Sequence, residues 1–69
     1  MIVIFPENTM RSAMIAYEIG NRHLPISLEG SNIVTPYDRF IEEFLRMESI
    51  NYERRREAFE PMRRGDHHG

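Results

Sequence analysis

Five of the nine arginines fall within eleven residues, as Arg54-Arg55-Arg56 and Arg63-Arg64. Guanidinium groups at that density can neutralise phosphates, and Phe59 among them could stack on a base. Residues 52–62 hold Tyr52, Arg54, Arg55, Arg56, Phe59 and Met62. Aromatic, methionine and arginine side chains are enriched at protein interfaces, whereas a merely solvated overhang favours lysine and glutamate. These six residues are therefore the expected partner-binding surface, with protein ahead of nucleic acid as the partner. Charge is divided along the chain. Residues 54–69 carry five arginines against Glu57, Glu60 and Asp66, a net +2, while residues 1–53 carry four arginines against eight acids, a net −4. The plainer alternative pairs Arg54, Arg55 and Arg56 with Glu53, Glu57 and Glu60 on a solvated helix, where such pairs add little.

Metal and catalytic chemistry find less support. Asp66, His67 and His68 are three adjacent groups, which cannot preorganise a tetrahedral site, and His23 stands alone in a turn. No metal and no cofactor are expected. Arg64-Gly65-Asp66 matches a cell-adhesion triplet, a match too short to carry weight. There is no glycine-rich phosphate loop, nucleophile elbow or helical His-Glu-x-x-His. Glu42 and Glu43 are neighbours on a helix and point apart, so they form no catalytic pair. The chain is not expected to be an enzyme.

The elements that must carry these residues are few. Sixty-nine residues allow one small domain, whose buried fraction is low by geometry. With no cysteine, a disulfide is unavailable and a partner subunit is the remaining staple. All nine basic residues are arginine and lysine is absent. Codon bias is the plain explanation, and selection for planar, bidentate contacts the alternative. Net charge is −2, which gives no overall pull toward nucleic acid or an anionic membrane. The longest apolar run, residues 1–5, is far short of a membrane span and lacks the features of a secretory signal. A cytoplasmic location follows as the expectation.

Residues 1–5 are apolar throughout and rich in β-branched side chains, as a strand covered on both faces should be. Asn8 is the expected cap of a helix over residues 9–19, with Gly20 as its left-handed stop. That helix has two apolar stripes: Met10, Ala13, Met14 and Tyr17 on one side, Ile15 and Ile19 roughly opposite. One stripe serves the core; Ile15 and Ile19 are expected to meet a second copy, giving a homodimer. Residues 24–29 alternate strictly and read as a second strand, with Pro25 marking either a sheet edge or a strand start. Thr35 as cap and Pro36 at the first position predict a second helix over residues 36–59.

The expected fold class is thus α/β, a small β-α-β-α unit with two short strands and two helices, the second long. If the strands are parallel neighbours, the first helix is a right-handed crossover. Residues 1–62 form the single domain and residues 63–69 a disordered tail. In size, acidity and lack of motifs the chain resembles phage-type accessory inhibitors, which implies a small non-enzymatic regulator that occludes a partner protein. A nucleic-acid-binding module using the arginine-rich helix and a purely structural assembly subunit are the alternatives.

Overall fold

A computed structural model describes residues 1–60. The mixed α/β class holds, and the inventory of elements changes. The order is β1 (Ile2–Phe5), α1 (Thr9–Asn21), β2 (Ser27–Glu29), β3 (Asn32–Thr35), α2 (Arg39–Met47) and β4 (Asn51–Arg54). There are four strands where two were expected, in one sheet of order β2-β3-β1-β4 with every neighbouring pair antiparallel.

β1 is central, between β3 and β4, which explains why every residue in it is apolar. β1 and β2 do run in the same direction, since each is antiparallel to β3, but β3 lies between them. The result is a split β-α-β arrangement in place of adjacent parallel strands. The β2–β3 hairpin turns at Gly30, whose φ of 64° is the left-handed geometry a side chain resists. Pro25 precedes β2, which is indeed an edge strand.

Alternation sorts the sheet into two faces. Ile2, Ile4 and Ile33 join Ile15, Ile19, Ile41, Leu45 and Ile50 in one buried cluster, with Leu24, Ile26, Phe44 and Tyr52 packed against it. Val3 and Val34 are opposite each other on the other face and are also buried. Val34 lines a cavity there with Met1, Glu57 and Ala58, so the chain beyond β4 returns beside that face. Arg55 N–H donates to the Met1 carbonyl at 2.9 Å, and the Met1 ammonium donates to the Arg55 carbonyl at 2.8 Å.

Three local expectations are corrected. Asn8 does cap α1, accepting from Arg11 N–H at 2.8 Å, but Gly20 is inside the helix and the left-handed residue is His23, φ 58°. The cap of α2 is Asp38, which accepts from Ile41 N–H at 3.0 Å; Thr35 is a buried β3 residue whose hydroxyl donates to the Pro25 carbonyl at 3.0 Å. The long second helix is nine residues long. It stops because Ser49 turns left-handed, φ 57°, and Ile50 is drawn into the core, after which β4 pairs with β1.

Candidate functional site

Both helices end in the same way. At α1, His23 N–H donates to the Gly20 carbonyl and Leu24 N–H to the Ile19 carbonyl, at 2.9 and 3.3 Å. At α2, Ser49 N–H donates to the Arg46 carbonyl and Ile50 N–H to the Leu45 carbonyl, at 3.1 and 2.9 Å. Each is a Schellman motif, closed by an apolar residue beyond the cap. Glycine is the usual occupant of the left-handed position, because a Cβ is crowded there. His23 and Ser49 fill it instead.

His23 is exposed, and the loop that presents it is tied down on several sides. Arg22, the residue before it, donates from Nε and a terminal nitrogen to the two oxygens of Asp38, at 3.1 and 3.3 Å. The same guanidinium lies 4.6 Å from the centre of the Phe40 ring. Two residues beyond His23, the Pro25 carbonyl accepts from Thr35. Burial alone would raise the Asp38 carboxyl, but the Ile41 N–H and the Arg22 guanidinium outweigh it and hold the group below its ordinary range.

A second polar cluster is centred on Glu42 of α2. Glu42 is only 8 % exposed, and both its oxygens are occupied. Tyr52 Oη donates to Oε2 and Tyr37 Oη to Oε1, each at 2.8 Å. Arg46 Nε donates to Tyr52 Oη at 3.3 Å, and the Arg54 guanidinium covers the Tyr37 ring at 4.3 Å. The tyrosine hydroxyls favour the ionised carboxylate and keep Glu42 below its ordinary value, while the carboxylate pushes the Tyr37 hydroxyl up. This cluster fastens β4 and the segment before α2 onto the helix. Every acceptor is matched, so the arrangement reads as a brace.

The structure disperses the surface expected near the carboxyl end. Tyr52 and Arg54 sit on β4 and belong to the Glu42 brace. Arg55 pairs with Glu53 at 2.8 Å. Arg56 is exposed and Phe59 half-buried, both beyond the last strand and neither on a helix. Met62, the tail 63–69 and the Asp66-His67-His68 triplet lie outside the described residues. Ile15 and Ile19, expected at a dimer interface, are fully buried within this chain, and Met10 and Tyr17 of the other stripe are exposed. The two faces of α1 are exchanged relative to expectation: the β-branched pair packs under the sheet and leaves nothing for a second chain to touch. Among the described residues no group of three or more His, Asp or Glu comes together around a point that could hold a metal ion. No helix among them is long and apolar enough to cross a membrane. Sequence reasoning passed over Arg22, His23, Tyr37 and Asp38 as site residues. The available signal was a histidine three residues after a glycine and just before Leu-Pro, at the end of a helical pattern.

The family model described as "UreE urease accessory protein, C-terminal domain" matches residues 1–69. The chain is 35 % identical over 66 residues to the urease accessory protein UreE of Bacillus sp. strain TB-90, covering 90 % of this chain and 45 % of that protein. It is 32 % identical over 68 residues to UreE of Corynebacterium efficiens, covering 97 % and 46 %. With UreE of Geobacillus kaustophilus it shares 39 % over 54 residues, 78 % and 36 % of the two chains. The chain therefore spans less than half the length of these curated relatives. These matches overturn the resemblance to phage-type inhibitors, and with it the occluding regulator and the nucleic-acid module. The expectation of a non-enzymatic role agrees with a family described as accessory proteins.

Proposed function

The chain belongs to the family of UreE C-terminal domains, and from that premise we propose that it serves urease maturation as an accessory protein that carries nickel. The observation that carries the metal part of this reading is His23. It is the one histidine among the described residues, exposed, and held where a glycine would be easier. Left-handed geometry at a non-glycine residue clusters at functional positions. Imidazole is a good nitrogen ligand for nickel.

One imidazole makes an incomplete site, and that suits a cargo that must be released. The other ligands come from outside the described residues of one chain, and a second copy is a ready source. The homodimer expected from the small core is proposed here on that ground, with a contact other than Ile15 and Ile19. The partners are the other proteins of urease assembly, and the setting is the cytoplasm where they meet.

A nickel titration of the full chain, followed through the His23 ring signals in NMR, tests the reading. The expected result is a selective, saturable change at His23 with Ni²⁺ that Mg²⁺ does not produce. A His23 ring indifferent to Ni²⁺ while other groups respond would remove it from the site.

A further inference from the structure

We infer that Arg22 and Asp38 form a clamp that positions His23, so that Asp38, on a different helix from the histidine loop, tunes metal capture there. The inference rests on the reading of His23 as the nickel-presenting residue.

The two helix ends supply the comparison. In each, the cap residue before the left-handed position makes an ion pair with the start of the other helix: Arg22 with Asp38, and Glu48 with Arg11. The Arg11–Glu48 pair is a single 3.3 Å contact between half-exposed side chains. At the histidine end, Arg22 makes two hydrogen bonds to a carboxylate whose side chain is 16 % exposed, and it also lies on the Phe40 ring. A guanidinium held in a fork and against a ring is fixed in two planes, which an ammonium could not reproduce.

Asp38 is itself anchored, because the same Oδ2 that meets Arg22 accepts from Ile41 N–H as the helix cap. The backbone of Arg22 leads directly into His23, so holding the Arg22 side chain restricts the φ that aims the imidazole. Restricting a ligand before binding raises affinity by removing the ordering cost. Residues that orient a metal ligand affect affinity by about 10- to 100-fold when they touch it. A clamp one residue removed should have a smaller effect.

Asp38→Asn separates the clamp from the cap. Asparagine caps a helix as well as aspartate does, so α2 should persist, while the charge that holds Arg22 is gone. The variant is expected to weaken Ni²⁺ binding, read at the His23 ring signals, by about three- to tenfold. It should also weaken the intraresidue amide-to-Hα NOE of His23, which is strong at positive φ and needs no metal. Arg22→Lys, which leaves Asp38 and the cap untouched, should shift both readouts in the same direction. Unchanged affinity in both variants overturns the clamp, as does an unchanged His23 NOE in both. If His23 ring signals ignore Ni²⁺ even in the unsubstituted chain, the nickel reading fails, and the NOE alone then decides whether the clamp sets the backbone.

Discussion

Tyr52 on β4 donates its hydroxyl to Glu42 Oε2 on α2 at 2.8 Å, joining the last strand to the second helix through a nearly buried carboxylate. Tyr52→Phe keeps the ring and removes the donor, leaving one carboxylate oxygen short of a partner. The denaturation midpoint should fall with an unchanged slope. No change in the midpoint would mean that water replaces the hydroxyl without loss.

The same carboxylate sets an acid limb. Its folded pKa lies below the ordinary value of 4.5, so its contribution is full above that pH and is lost as pH falls through the folded value. Asp38, lowered from 3.8, acts in the same sense at slightly lower pH. Stability should be level near neutrality and decline below about pH 4.5, and Glu42→Gln should flatten the decline. An acid limb of equal steepness in that variant would assign it to other groups.

Asp38→Ala should cost on the order of 1 kcal/mol through loss of the α2 cap, whereas Asp38→Asn should cost much less. Urea denaturation of the two variants makes the comparison. Equal losses would show that the ion pair, and not the cap, dominates.

Ile15→Glu should unfold the chain, because it places an unpaired carboxylate in the cluster of Ile2, Ile4 and Ile33. Ile19→Ala should cost about 2–5 kcal/mol as a core truncation. A folded Ile15→Glu chain by circular dichroism, altered only in its oligomeric state, would contradict the packing described.

Much of the fold was legible where one local signal stood unopposed. Asn8 precedes a clean helical pattern and caps it; Pro25 comes just before an edge strand; Ile2–Phe5 form the covered strand. Legibility failed where two signals competed. On α1 both stripes are apolar, and periodicity cannot say which one faces the sheet. Before α2, Thr35-Pro36 and Asp38 both resemble helix starts, and only the pairing of Thr35 with Ile2 commits the threonine to a strand. After α2 no glycine or proline marks the stop. Charged residues four apart continued the helical pattern, while the core captured Ile50 and ended the helix. The site was hidden for a related reason. His23 looked isolated because Asp38, its indirect anchor, is fifteen residues away and meets it only through Arg22.

The left-handed positions give a paired test. His23→Gly and Ser49→Gly should each stabilise the fold by about 1 kcal/mol, since an L residue at positive φ carries a cost that glycine avoids. Only His23→Gly should abolish the response to nickel. If it destabilises, the imidazole has a packing role in the fold.

Urease specific activity at limiting nickel, in a urease-positive cell lacking its own UreE, bears most directly on the assigned role. Expression of the full chain is expected to raise that activity together with the nickel content of the urease, and the His23→Ala chain is expected not to. Urease activity that stays at the level of the deficient cell, while folded chain accumulates, would contradict the assignment.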